Sequence, residues 1–186
     1  MLTALDPLPR RPRRIIVAGV SGVGKTTLAR RIARVAEVPH TEIDGLLHGP
    51  GWTPRPSFLH DVEDLAAQDA WVTEWQYGPA RPLLAARADL LVWLDLPFWT
   101  RTFPQVVRRT VRRRIRREEW NGNIEPPFRR ILTDPEHIVR WAVSTRHKYR
   151  ARIPQLDAEM PELPVVRLRS RRDVERWLMG PLALSL

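Results

Sequence analysis

Apolar residues gather in short unbroken runs, and the stretches between them carry helical spacing. Arg14 followed by Ile15-Ile16-Val17-Ala18, Trp71-Val72-Thr73-Glu74, Leu90-Leu91-Val92-Trp93-Leu94-Asp95 and Val165-Val166-Arg167-Leu168 lack alternation, as expected of strands buried on both faces. His40-Thr41-Glu42-Ile43-Asp44 reads as a further short strand, ended by Gly45. In chain order these are strands 1 (14–18), 2 (40–44), 3 (71–74), 4 (90–95) and 5 (165–168). Helices are predicted over Lys25 to Ala36, closed by Pro39, and over Phe58 to Asp69, with Ser57 as N-cap and Phe58, Val62 and Leu65 on one face. A short one spans Arg81 to Ala88. A long basic one runs from Pro97 to Glu119, bent near Pro104, with Val107, Val111 and Ile115 as its buried stripe, and Asn121-Gly122-Asn123 ends it. Another begins at Asp134-Pro135 and continues to about Arg152, and Ser170 caps a last one through Leu178. Strands alternating with helices predict an α/β fold, a parallel sheet with helices on both faces. The proline-rich residues 1–13 read as a disordered basic arm, and 14–186 as a single domain.

The junction between strand 1 and the first helix carries the chemistry. Gly19-Val20-Ser21-Gly22-Val23-Gly24-Lys25-Thr26 fits G-x-x-x-x-G-K-[ST], the phosphate-binding loop. Glycines let the backbone turn so that several N–H groups converge on one phosphate, and the helix that follows adds the positive end of its dipole. Gly19, Ser21, Gly22, Val23, Gly24, Lys25, Thr26 and Thr27 are therefore the expected nucleotide-binding residues, with ATP the expected nucleotide. Lys25 bridges the outer phosphates, and Thr26 offers its hydroxyl to Mg²⁺, a small ion that takes one or two protein oxygens.

Composition sharpens that assignment. Of 31 lysines and arginines only Lys25 and Lys148 are lysine, so a compact ammonium stands at the loop position where a planar guanidinium fits poorly. Hydrophobic content of 43% and charged content of 28% describe a chain able to bury a core. The absence of cysteine excludes a disulfide framework and thiolate chemistry. No apolar run approaches a membrane span and the N-terminus lacks a signal-peptide core, which places the chain in the cytoplasm by default. The net charge of +10 suits polyanions, ATP or nucleic acid among them. The five histidines lack metal-ligand spacing.

Two carboxylates end apolar strands, Glu74 and Asp95, and either has the position of an acid that holds a Mg²⁺ water shell. Asp44 is a candidate for contacting an acceptor hydroxyl as base, or equally for capping the next turn. Tyr77 and Arg81 are candidate lining residues of an acceptor pocket. Trp52, Trp93 and Trp141 read as core or loop anchors. Residues 108–117 hold one acid-free run of arginines, which suits a solvated basic face or a tracker of nucleic-acid phosphates.

Several of these segments together resemble the small kinases related to adenylate kinase, and more narrowly the bacterial proteins labelled DNA topology modulation protein. The resemblance covers about 14–178. It is carried by the loop Gly19 to Thr26, by Ile43-Asp44 with the Gly-Pro loop through Trp52, by Trp71 to Tyr77, by Val92-Trp93-Leu94-Asp95-Leu96-Pro97, by Glu119-Trp120-Asn121-Gly122-Asn123, and by Val166 to Ser170. It implies a phosphate-loop NTPase fold with five parallel strands in the order 2-3-1-4-5 and a helical lid at about 108–135. It implies transfer of the γ-phosphate of Mg·ATP to a small nucleotide or hydroxyl acceptor. The group's DNA label implies, as an alternative, an ATP-dependent regulator associated with nucleic acid. In that order strand 3 adjoins strand 1, which assigns Glu74 rather than Asp95 to the metal beside Thr26. A lid gives Arg113 and Arg117 the task of closing on the phosphates, so Lys25, Asp44, Arg113 and Arg117 form the expected catalytic set and Asp44, Tyr77 and Arg81 the acceptor set. The family's Asp-Gly-Asn-Tyr run at the end of strand 3 is here Glu74-Trp75-Gln76-Tyr77, a departure on the acceptor side.

Overall fold

In chain order the elements are β1 (Arg14–Ala18), α1 (Lys25–Ala36), α2 (Ile43–Leu47), α3 (Phe58–Ala67), β2 (Trp71–Glu74), α4 (Ala80–Arg87), β3 (Leu90–Leu94), a π-helical turn (Phe98–Thr102), α5 (Phe103–Arg116), β4 (Glu119–Trp120), β5 (Asn123–Ile124), α6 (Ile138–Ser144), α7 (Lys148–Glu159), β6 (Val165–Leu168), α8 (Arg171–Trp177) and a second π-helical turn (Leu178–Leu182). These come from a computed structural model that describes residues 1–49, 51, 53–116, 119–120, 123–124 and 138–186.

The four unbroken apolar runs form one parallel sheet in the order β2-β1-β3-β6. Alternate residues of each strand enter opposite cores. Ile15, Val17, Val72, Val92 and Val166 pack with Leu28 and Ile32 of α1 and Val174 and Trp177 of α8. Ile16, Trp71, Leu91, Trp93 and Val165 pack with Val62 of α3, Leu84 of α4 and Ile153 of α7. Every residue of β2 and β3 is buried, which is why those runs show no polar alternation.

The sheet has four strands where five were expected. Strand 2 is reduced to a single parallel bridge from His40 to Val72, followed by Thr41 N donating to Val72 O at 3.0 Å. The chain then leaves the sheet, because Glu74 Oε2 accepts Ile43 N at 3.1 Å and residues 43–47 close into α2. Gly45 lies inside that helix rather than ending a strand. The remaining order agrees with the expected 3-1-4-5.

Other expectations are corrected too. The arm is not loose at its start: Leu2 N donates to Val165 O at 2.6 Å, Arg167 N donates to Leu2 O at 2.9 Å, and Ala4 is buried. The long basic helix is a π-helical turn and then α5, so its irregularity precedes Pro104, and residues 119–120 pair antiparallel with 123–124. The helix expected to reach Arg152 is split into α6 and α7; its start at Asp134-Pro135 lies outside the described residues, as do Trp52, Asn121 and Gly122. Ser57 is the N-cap residue of α3 as expected, but its hydroxyl donates to Asp61 at 3.0 Å instead of accepting a backbone N–H, whereas Ser170 caps α8 by accepting Asp173 N at 3.0 Å. Trp93 is buried as expected, but Trp141 is 38% exposed.

The expected stripe of α5 is also wrong: Val111 and Ile115 are 38% and 72% exposed, and Val106 and Thr110 are the buried positions, continuing from the buried Thr102 of the π-helical turn. The phosphate loop sets that register. Gly22 has φ +76, and a Cβ there would collide with Val106 Cγ2. Gly22→Ala therefore combines a left-handed backbone with a steric clash and is expected to cost about 1–3 kcal/mol by urea denaturation. Adding Val106→Ala should recover only part of that loss, since the backbone strain remains.

Candidate functional site

The loop Gly19–Gly24 joins the end of β1 to α1, with Gly24 in the left-handed region (φ 106) as N-cap and no side chain capping the helix. First-turn N–H groups without a side-chain cap are suited to an anion. Lys25 is 8% exposed and its Nζ donates to Val20 O at 3.3 Å, folding the side chain back over its own loop. Burial pulls the Lys25 ammonium down to about 8; the Asp44 and Glu74 carboxylates oppose that shift and the Arg109 guanidinium adds to it. Thr26 is half-buried and Thr27 exposed.

The acidic side is built by β2 and α2. Glu74 is fully buried. His40 Nε2 lies 3.3 Å from Oε1, Ile43 N donates to Oε2 at 3.1 Å, and Thr26 supplies a further side-chain hydrogen bond. Burial alone would raise this carboxyl, but the hydrogen bonds from His40, Ile43 and Thr26 outweigh it and hold it below the usual range. Asp44 Oδ1 accepts Gln76 Nε2 at 2.7 Å and the Tyr77 hydroxyl at 2.5 Å. Tyr77 has φ +57, a conformation held by Phe58 edge-on at 5.6 Å and by Arg81 N donating to Tyr77 O at 3.1 Å. Burial and the neighbouring Asp44 push its phenol upward.

Trp75 fills the space a smaller residue would leave. Its indole donates to Arg81 O at 3.0 Å and tilts against Tyr149, whose hydroxyl donates to Trp75 O at 2.9 Å. Arg81 is 7% exposed, with its guanidinium 5.8 Å from the Trp75 ring and Nε donating to Tyr77 O at 3.2 Å. Its buried Nη1 has no hydrogen-bond partner among the described residues.

The structure thus brings Lys25, Thr26, Asp44, Glu74, Tyr77 and Arg81 to one end of β1 and β2. Asp95 is separate: Arg150 Nε at 3.0 Å and Arg167 Nε at 3.1 Å occupy its two oxygens, and Arg167 stacks on Trp93 at 4.5 Å. Arg113 is half-buried on α5, one turn beyond Arg109, and Arg117 lies outside the described residues. Arg109 is the α5 guanidinium whose charge reaches Lys25, and it was not singled out in the sequence. Its signal was available only through the register of α5, which the valine pattern misassigned. His40 and His48 lack metal-ligand spacing and so carry no local signal, and Gln76 gains its role only from the fold that brings it to Asp44. Among the described residues no group of three His, Cys, Asp or Glu side chains could hold a metal.

No protein-family model matches the chain. No curated protein matches it either. Among solved structures it is similar to a gluconokinase from Sinorhizobium meliloti 1021, at 20% identity over 95% of each chain with a TM-score of 0.53. It is also similar to shikimate kinase from Acinetobacter baumannii in complex with shikimate, at 18% identity over 92% of each chain with a TM-score of 0.54. The fold is that of the small phosphate-loop kinases. The narrower likeness to the DNA topology modulation group is not shown by these neighbours. Among the described residues no helix is long and apolar enough to cross a membrane.

The Glu74 carboxyl gives a test of this geometry that needs no ligand. Because it is depressed in the folded state, its contribution is present above the ordinary value of 4.5 and is lost as pH falls through the folded value. Glu74→Gln should lower the urea midpoint at pH 7. The gap between wild type and variant should narrow progressively below pH 4.5.

Proposed function

We propose that the chain is a Mg·ATP-dependent phosphotransferase that acts on a small acceptor. The observation that carries it is the buried Lys25 ammonium of the phosphate loop, within electrostatic reach of two carboxylates and one α5 guanidinium. Phosphoryl transfer asks for positioning and charge neutralisation rather than covalent help, and those groups supply both. The neighbours are kinases by name, which supports the same reaction class.

Thr26 and Glu74 would hold Mg²⁺. One hydroxyl and one carboxylate make a hard oxygen set, and the lack of a three-residue ligand group among the described residues suits an ion that keeps its waters and phosphate oxygens. When bound, Mg²⁺ supplies charge neutralisation across the phosphate oxygens. Lys25 binds the outer phosphates through its ammonium. Arg109 and Arg113, on successive turns of α5, add positive charge over the loop, and Arg117 is a further proposed member. Asp44 accepts the proton of the acceptor hydroxyl, while Tyr77 and Arg81 line the acceptor side.

Calorimetry with Mg·ATP tests this directly: wild type binds, Lys25→Ala binds at least about tenfold more weakly, and equal affinities would end the proposal. Lys25 adds a pH signature. Below pH about 8 it already carries its charge, and above that value the free protein has lost the proton which the phosphates restore. Binding should therefore take up protons at pH 8.5 and not at pH 6.5, with affinity falling between pH 7 and 9.5, read from calorimetry in buffers of different ionisation enthalpy.

The metal assignment separates the two strand-end acids. Glu74→Gln should weaken the Mg²⁺ dependence of ATP turnover far more than Asp95→Asn, whose partners are Arg150 and Arg167. The reverse order in a Mg²⁺ titration of ADP release would transfer the role to Asp95.

A further inference from the structure

α2 is little more than one turn, yet it places Asp44 and His48 four residues apart on one face, with His48 N donating to Asp44 O at 3.0 Å. Tyr77, arriving from the end of β2, fills the gap between them. Its hydroxyl donates to Asp44 Oδ1 and lies 3.2 Å from His48 Nε2. A phenol has one hydrogen to give, and Asp44 takes it. The second contact therefore calls for a hydrogen on Nε2, and the chain runs from His48 Nε2–H to the Tyr77 oxygen and from Tyr77 O–H to Asp44 Oδ1. The rings are fixed as well: His48 and Tyr77 meet edge to face at 6.1 Å, and Phe58 braces the other side of the phenol. Gln76 donates to the same oxygen of Asp44 at 2.7 Å.

We propose that His48 is a positioning residue: acting through the Tyr77 hydroxyl, it fixes which oxygen of Asp44 is engaged and leaves Oδ2 for the hydroxyl of the phosphoryl acceptor. The inference rests on the phosphotransferase assignment and on Asp44 as proton acceptor within it. As the acceptor oxygen bonds to the γ-phosphorus and the bond from that phosphorus to the ADP oxygen breaks, the acceptor's proton passes to Asp44 Oδ2. No proton moves along the chain itself, and the Tyr77 hydrogen stays on Tyr77. The contribution of His48 is directional. A donor behind the phenol polarises its O–H toward Asp44 and prevents that hydrogen from turning to another partner. Among the described residues, the other charged groups around this cluster include Lys25 of α1, Glu74 of β2, Arg81 of α4, whose Nε donates to Tyr77 O at 3.2 Å, and Glu42, which is paired with Arg30 at 2.9 Å.

The chain has two tyrosines, Tyr77 and Tyr149, so a hydroxyl-proton NMR experiment on tyrosine-labelled full-length protein reads the contact directly. The Tyr77 signal, identified by its loss in Tyr77→Phe, should move upfield in His48→Ala and return in His48→Gln, which keeps an N–H donor. In parallel, ADP release from Mg·ATP is measured with D-gluconate, shikimate and nucleoside monophosphates as trial acceptors. With any acceptor that works, kcat should fall about tenfold in Tyr77→Phe and about threefold in His48→Ala, with the KM for ATP unchanged. His48→Gln should restore kcat, and the double variant should fall no further than Tyr77→Phe alone. An unmoved Tyr77 signal in His48→Ala, or losses that simply multiply in the double variant, would overturn the proposal. Wild type that binds Mg·ATP but turns over none of these acceptors would overturn the positioning role while leaving the nucleotide site standing. Wild type that binds no Mg·ATP would instead remove the phosphotransferase assignment, with the NMR arm still reading the hydrogen-bonded chain.

Discussion

A carboxylate buried at the end of a strand has to be surrounded by donors, and much of the candidate site follows from meeting that demand at Glu74. Desolvating such a group is costly by several kcal/mol unless hydrogen bonds replace the lost water. Here the replacements come from three separate segments: His40 from the loop before α2, Ile43 N from the first turn of α2, and Thr26 from the start of α1. One carboxylate thereby ties the phosphate loop to α2 and the segment before it. It also explains why residues 40–44 are not a strand. Once Ile43 N is committed to Glu74 it cannot join a ladder with β2, and the chain turns out of the sheet after His40.

That turn decides where the remaining polar groups go. Forming α2 places Asp44 and His48 on one face, and β2 delivers Gln76 and Tyr77 opposite them. Lys25 is buried, and the Asp44 and Glu74 carboxylates favour its charged form against burial and against Arg109. A phosphate brought to the loop would add negative charge beside an ammonium that is already short of solvent. The arrangement is therefore responsive to an anion in a way that an exposed lysine is not.

The opposite wall is α5, and its position depends on the loop glycines. Val106 occupies the space beside Gly22 that any side chain there would need. This close approach is compatible with one face of the helix, the one that carries Val106, turned to the loop. In that rotation Val106 and Thr110 are buried, the charge of Arg109 is felt at Lys25, and Val111 and Ile115 are exposed. The arginines on this helix are consequently unequal despite their uniform spelling in the sequence.

What the sequence determined by itself was local. The loop Gly19–Thr26 announces its chemistry because backbone convergence on phosphate requires glycine at fixed spacing. The four buried runs announce a parallel sheet because both faces of each strand must be apolar. Ser170 announces a helix start because its hydroxyl can satisfy an N–H three residues on. The tertiary structure decided whatever depended on a partner distant in the chain. Residues 40–44 are neutral between strand and helix until Glu74, some thirty residues later, claims Ile43 N at 3.1 Å. The arm at 1–13 looks soluble and proline-rich until β6 offers an unpaired edge to Leu2. The buried stripe of α5 is ambiguous because two apolar rows are available, and only the gap beside Gly22 selects Val106. Asp44 and His48 carry helical spacing in the sequence, but that spacing acquires meaning only where the peptide between them is helical and a phenol from another strand reaches both.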